Sequence, residues 1–381
     1  MPSPEDDAGR YTLVITAVGG GVGRTLLQAL RGRRGRLRVV GLSSRADAPE
    51  LYDCDAAWLV PPTAERDAHQ ERLIELIGQE RADLVIPGRD EDVLALAELG
   101  EAHPALSPRL LCGPTDAARV LVDKRVGAAF AQAEELPFAP TIDAGAPDAP
   151  RRIAEMLSSH GFPLIAKPAE GNGSRGVRVL LDRSQLQRQL GRPGVLLQPM
   201  IDAPRASALR PDLDDGVPLF WEVPEERLFA VRGWIGRDGV VRPGCAYVMS
   251  MVAGRFERMA LVDDIDLHLL GSRYGEALAS RLRWRGPYHL QCKRDAAGRY
   301  WPIELHGRFG GGTAARALLG HDEAGALLRH WLGEDALALH PARPGEASAV
   351  HLRPEDTVLQ RSPLATLAAE GRWQGSRPGR D

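Results

Sequence analysis

Gln291-Cys292-Lys293-Arg294-Asp295-Ala296-Ala297-Gly298-Arg299-Tyr300-Trp301-Pro302-Ile303-Glu304-Leu305-His306-Gly307-Arg308 reads as two short strands joined by a tight Asp/Gly turn. A loop closing on Ala297-Gly298 sets Arg299 opposite Ala296 and Glu304 directly opposite Gln291. Side chains alternate along a strand, so Glu304 and His306 point to one side, and Gln291 shares it. Oxygen and nitrogen donors thus meet on one patch of sheet. Such a set suits a Mg²⁺ held partly by protein and partly by substrate phosphates. A polar hairpin on an exposed face is the plainer alternative. Against it, Arg308 continues the same face, Gly310, Gly311 and Gly312 follow at once, and an apolar helix-like run starts at Thr313.

Upstream, Lys167 closes the apolar strand Phe162-Pro163-Leu164-Ile165-Ala166-Lys167. Lysine is seldom buried without a partner, so Lys167 either reaches a surface or meets an anion. The next segment, Glu170-Gly171-Asn172-Gly173-Ser174-Arg175-Gly176, favours the anion, because glycines let backbone N–H groups turn inward around phosphate oxygens. It is no Walker A loop, since it lacks Gly-Lys-Ser/Thr and lies between two strands. A mobile hairpin tip is the competing reading. Lys124 follows Asp123 after a helical run from Asp116 and gains interest only from its place before the Lys167 strand.

The N-terminal third alternates strands (Tyr11 to Ala17, Leu37 to Leu42, Asp83 to Pro87) with helical stretches, which implies a parallel sheet. Gly19-Gly20-Gly21-Val22-Gly23 lacks a clean G-x-G-x-x-G, and no acidic residue ends the next strand. A tight strand-to-helix turn is preferred there over dinucleotide binding. Residues 137–150 read as a connection, 202–225 as an irregular insertion, and the tail beyond Arg372 as disordered.

With 381 residues and a net charge of −3, the chain has room for several cores and no global field that argues for nucleic acid or membrane. The basic run Arg31 to Arg38 reads as a solvated loop. Cys54, Cys112, Cys245 and Cys292 are scattered without CxxC spacing, as expected of reduced thiols in a cytoplasmic protein. No apolar run approaches the ~18 residues of a membrane span, and the acidic N-terminus lacks a signal core.

Taken in order, Asp123-Lys124, Lys167 with its glycine loop, Val195-Leu196-Leu197-Gln198, and Gln291…Glu304-Leu305-His306-Gly307-Arg308 resemble the ATP-grasp superfamily. The likeness is to proteins similar to the carbamoyl-phosphate synthase large subunit and covers roughly residues 11–335. Leu84-Val85-Ile86-Pro87-Gly88-Arg89-Asp90-Glu91 looks like that family's pre-ATP-grasp domain. The resemblance implies a pre-ATP-grasp α/β domain with a parallel sheet (1–114). A two-lobed ATP-grasp module with mostly antiparallel sheets follows (115–194 and 195–335), then a C-terminal extension (336–381).

It further implies that Lys124 and Lys167 contact ATP phosphates, and that Glu170, Gly171, Gly173, Ser174 and Gly176 belong to a lid over them. Gln198 falls in the segment that grips the adenosine, while Gln291, Glu304 and His306 hold Mg²⁺. Arg308 would steady the transferred phosphoryl group. This chain departs from the family in two places. His306 stands where Asn is usual and suits Mn²⁺ better, and Pro199 replaces a Glu whose contact Glu222, Glu225 or, preferably, Glu226 would supply. The implied activity is ATP-dependent joining of a small-molecule carboxylate to an amine through an acyl phosphate. A small-molecule kinase, a carbamoyl- or carboxyphosphate-forming enzyme and a lapsed nucleotide-binding regulator are the alternatives. Such proteins often form homodimers. Arg255 and Arg258 are read equally as substrate-binding or surface residues.

Overall fold

The computed structural model describes residues 10–171, 173–201, 227–252, 255–353 and 359–375. Among these residues the strands form three sheets. In the first, β1 (Tyr11–Ile15), β2 (Leu37–Ser43), β3 (Ala56–Leu59) and β4 (Leu84–Ile86) run parallel in the order β3-β2-β1-β4. Helices α1 (Gly21–Leu30) and α2 (Arg66–Gln79) lie in the connections, and α3 (Asp90–Ala102) follows β4. Leu13, Val14 and Ile15 are all buried, as a parallel sheet covered on both faces requires. Between β1 and α1 the glycines make a tight turn. A Cβ on Gly23 would lie 2.0 Å from the Val18 carbonyl oxygen, so the close approach itself selects glycine there.

After α4 (Thr115–Val122) and α5 (Lys124–Ala133) comes a small antiparallel sheet. It consists of β5 (Ile142–Asp143), β6 (Leu164–Pro168), β7 (Arg178–Leu180) and β8 (Val195–Pro199), ordered β5-β8-β6-β7, with α6 (Ala149–His160) and α7 (Arg183–Gln187). The stretch read as a bare connection therefore contains β5. Gly161, at φ 71°, ends α6.

The largest sheet comprises β9 (Arg227–Ile235), β10 (Val241–Val252), β11 (Arg255–Leu261), β12 (Gly286–Arg294), β13 (Tyr300–His306) and β14 (Ala349–His351). Its order is β13-β12-β9-β10-β11-β14, antiparallel throughout. Helix α8 (Ile265–Arg281) covers one face, where Tyr274 and Leu278 join Val231, Leu290 and Leu305 in a buried core. Helices α9 (Thr313–Leu318), α10 (Glu323–Leu332) and α11 (Arg361–Glu370) follow, and β15 (Arg372–Gln374) closes the described chain.

Three expectations need correction, and one strand went unread. Residues 373 and 374 are not disordered: they belong to β15, which pairs antiparallel with β3, and Trp373 packs edge-on against Tyr52 at 5.3 Å between ring centroids. The basic run is not simply solvated, because Arg33 is buried, pairs with Asp322 at 2.5 Å and donates to the Ala338 carbonyl. Strand β3 escaped notice because Ala56-Ala57-Trp58-Leu59 is short and lacks β-branched residues. In the β12–β13 hairpin, Arg294 pairs with Tyr300, one residue off the expected register. A β-bulge at Ile303 then restores the pairing of Gln291 with Glu304.

Candidate active site

Along β6, Leu164 and Ala166 enter the small-sheet core with Leu197, so alternation turns Lys167 to the opposite side, toward β13. Lys167 is buried, and its Nζ donates to the Ile303 carbonyl at 2.7 Å. That carbonyl belongs to the residue the bulge leaves without a cross-strand partner. Asp123 caps α5 by accepting from the backbone N–H groups of Arg125 and Val126, which fixes Lys124 as the first helical residue. Lys124 Nζ donates to the Gly171 carbonyl at 2.8 Å and lies 3.5 Å from Glu304 Oε2. Two ammonium groups from separate elements thus converge beside Glu304. Burial pushes Lys167 down to about 8, opposed by Glu304 and aided by Lys124.

Gln291 sits opposite Glu304 in register, on the face away from Leu290 and Leu305. His306 bridges two carboxylates, with Nε2 3.2 Å from Glu304 Oε1 and Nδ1 3.3 Å from Asp90 Oδ1. Asp90 opens α3 and also accepts from Arg308 Nη2 at 2.7 Å. Burial acts to raise the Asp90 and Glu304 carboxyls, yet both stay below the usual carboxylate range. Arg308 and His306 hold Asp90 down, while His306, Lys124 and Lys167 do so for Glu304. His306 is raised against its burial by Asp90 and Glu304.

Among the described residues no three His, Cys, Asp or Glu side chains could hold a metal by themselves. Glu304 and Gln291 supply hard oxygens that fit Mg²⁺ if substrate oxygens complete the shell. His306 does not fit as it stands, since both ring nitrogens already face carboxylate oxygens, Nδ1 at 3.3 Å and Nε2 at 3.2 Å.

The glycine loop connects β6 to β7, and its residues 170, 171 and 173–176 are exposed. Gly171, Gly173, Ser174 and Gly176 all have positive φ (110°, 64°, 57° and 76°), which turns the backbone in a way that glycine favours. Gln198 lies on the Lys167 face of the small sheet, where its Nε2 donates to Thr141 Oγ1 at 2.8 Å. Pro199 pairs with Leu164 and takes the opposite, core-side face, so the substitution there removes nothing from the Lys167 side. Glu222, Glu225 and Glu226 lie outside the described residues. Arg258 is exposed on β11.

Sequence reasoning gave no site role to Asp90 or to His289, whose ring stacks on His306 at 5.6 Å. The signal for Asp90 was its position just after the C-terminal end of a parallel strand, where α/β sheets place ligand-binding groups.

No protein-family description matches the chain, and no curated protein matches it. Solved structures do. The biotin carboxylase domain of Hydrogenobacter thermophilus 2-oxoglutarate carboxylase, with MgADP, ADP and bicarbonate, aligns with a TM-score of 0.63 at 16% identity, covering 88% of this chain and 72% of that one. N5-carboxyaminoimidazole ribonucleotide synthetase from Thermus thermophilus aligns with a TM-score of 0.61 at 19% identity, covering 88% and 82%. L-amino acid ligase from Bacillus licheniformis gives 0.58 at 14%, covering 88% and 78%. At such identities the likeness is one of fold.

Proposed function

We propose that this chain, which has the ATP-grasp fold, is an ATP-dependent ligase that joins a small-molecule carboxylate to an amine through an acyl phosphate. The observation that carries the reading is the convergence of Lys124 and Lys167 on Glu304, opposite Gln291. Phosphoryl transfer asks a protein mainly for positioning and charge neutralisation, and these groups offer both. Lys124, Lys167 and the Glu170–Gly176 backbone would hold the nucleotide phosphates. Glu304 and Gln291 would hold Mg²⁺, which supplies charge neutralisation at the phosphate oxygens. His306, carrying its proton between Asp90 and Glu304, would keep Glu304 oriented rather than ligate the metal. Arg308, set by Asp90, would face the charge that develops as the carboxylate attacks the γ-phosphate. The amine then displaces phosphate from the acyl phosphate, while the glycine loop excludes water. A position in the carbamoyl-phosphate-synthase-like branch, an adenosine-binding role for Gln198 and Glu226, a homodimer and a cytoplasmic setting remain parts of this proposal. Among the described residues no helix is long and apolar enough to cross a membrane.

A second reading, a carboxyphosphate-forming enzyme, is favoured by the bicarbonate in the biotin carboxylase structure. The two readings separate in one assay: ADP release that needs both an acid and an amine supports the ligase, whereas release with bicarbonate alone supports the second. Lys167→Ala and Glu304→Ala should each abolish ADP release with the circular dichroism spectrum unchanged. Wild-type rates in either variant would overturn both readings.

A further inference from the structure

Next to the Glu304 site lies a second charged cluster, which the chemistry above leaves unused. Arg232 on β9 pairs in register with His289 on β12, and its guanidinium is fully buried. Arg232 Nε and Arg316 Nη2, the latter from α9, both donate to Glu323 Oε2, at 2.9 and 3.3 Å. Arg232 Nη2 also donates to the Arg308 carbonyl at 3.0 Å, which ties the cluster to the site. Arg232 Nη1, Arg316 Nε and Nη1, and His289 Nδ1 are buried without a hydrogen-bond partner.

Two guanidiniums against one carboxylate leave one positive charge unbalanced. Glu323 Oε1 is also buried without a partner, and the Arg316 guanidinium lies 5.5 Å from the centroid of the Tyr247 ring, but neither contributes a second negative charge. Burial, and then the surrounding arginines, hold His289 neutral, and the Tyr247 hydroxyl is bonded to His289 Nε2. Buried charge and buried donors normally find partners, so this combination signals an absent anion.

The backbone over these donors is glycine. A Cβ on Gly310 would lie 2.9 Å from Arg232 Nη1, one on Gly312 would lie 2.3 Å from Met259 Cε and 3.3 Å from Arg316 Nη1, and one on Gly311 would meet open space. Among the described residues, none of the N–H groups of Gly310, Gly311 and Gly312 donates to a protein acceptor.

We propose that Arg232 and Arg316, beneath the Gly310–Gly312 turn, form a second anion subsite that binds a carboxylate of the co-substrate distinct from the one activated beside Arg308. The co-substrate is then a dicarboxylic acid. One excess positive charge matches a monoanionic carboxylate better than a phosphate dianion, and a guanidinium fork fits carboxylate oxygens in pairs. Assigning the anion to the co-substrate rests on the ligase reading, whereas binding of an anion at this cluster does not.

Calorimetric titration of succinate, propionate and inorganic phosphate into the wild type, Arg316→Met, Arg316→Lys and Lys167→Met tests the proposal. Succinate should bind the wild type at least roughly tenfold more tightly than propionate. Arg316→Met should remove that advantage, Arg316→Lys should retain part of it, and Lys167→Met should leave it intact. MgATP affinity should not change in the Arg316 variants. Equal binding of succinate and propionate by the wild type, or an advantage that survives Arg316→Met, overturns the proposal. Phosphate bound more tightly than succinate through Arg316 overturns the carboxylate assignment. Should Arg316→Met fail to fold, the wild-type comparison and Arg316→Lys decide. MgATP that fails to bind the wild type while succinate binds would sink the ligase reading and leave the subsite standing. The reverse result would sink the subsite alone.

Discussion

Lys167 is caught between a burial penalty and an anionic neighbour, and its pH behaviour follows from that. Burial pushes its value down to about 8 from the ordinary 10.5. The depressed value means that the unfolded chain keeps this proton longer, so the contribution of Lys167 to stability rises with pH across that window. A bound polyphosphate favours the ammonium. Nucleotide binding above about pH 8 should therefore take up a proton and weaken as pH rises; titration calorimetry in buffers of different ionisation enthalpy measures the uptake directly. Asp90 is the other decisive residue. Asp90→Asn leaves buried Arg308 without its carboxylate and His306 with Glu304 alone, and should cost about 3–5 kcal/mol in urea unfolding. His306 has a raised value, so its charged form stabilises the fold fully below 6.5 and less as pH rises through the folded value. The penalty should thus be larger at about pH 6 than at about pH 9. The Gln291–Glu304 pairing was legible because strand alternation and a nearby turn govern it. Asp90 acts on His306 across 216 positions of sequence, and no local pattern carries such a contact.

At the scale of elements, the β12–β13 hairpin shows how a correct inference can rest on an incorrect detail. The turn chemistry of Asp295 and Gly298 foretold a hairpin, but Asp295 N–H bonds to the Arg299 carbonyl, and the register at the tip slips by one. The bulge at Ile303 cancels the slip before Glu304 is reached. A bulge has no sequence signature as clear as a turn's, which is why it went unseen. Gly307 looked like part of a chemical motif, yet its surroundings argue for packing. A Cβ there would come within 2.7 Å of Trp284 Cζ2 and 2.9 Å of Leu121 Cδ1. Gly307→Ala should therefore destabilise by about 1–3 kcal/mol, read as a lower Tm by differential scanning calorimetry, with Lys167 and Glu304 chemically intact.

Across the whole molecule, the chain returns to where it began. β15 protects the β3 edge of the first sheet, and Arg33 from the same N-terminal unit is clasped by Asp322. Sequence reading separated these regions because composition reveals domains but not the contacts that rejoin them. Truncation after Gly371 would expose the unpaired β3 edge and free Tyr52 from Trp373. The truncated protein should melt at a lower temperature and show concentration-dependent association by size-exclusion chromatography. The carbonyls that accept from Lys167 and Lys124 have a further consequence. The protein satisfies both cations with its own main chain, so under the proposed function a phosphate pairing with either one would have to displace an internal bond. The bond from Lys167 to Ile303 also joins the small sheet to the large one. A phosphate that displaced it would leave the Ala139 N–H bond to the Pro302 carbonyl, at 2.8 Å, as a second tie between the same two regions, so the loosening would be partial.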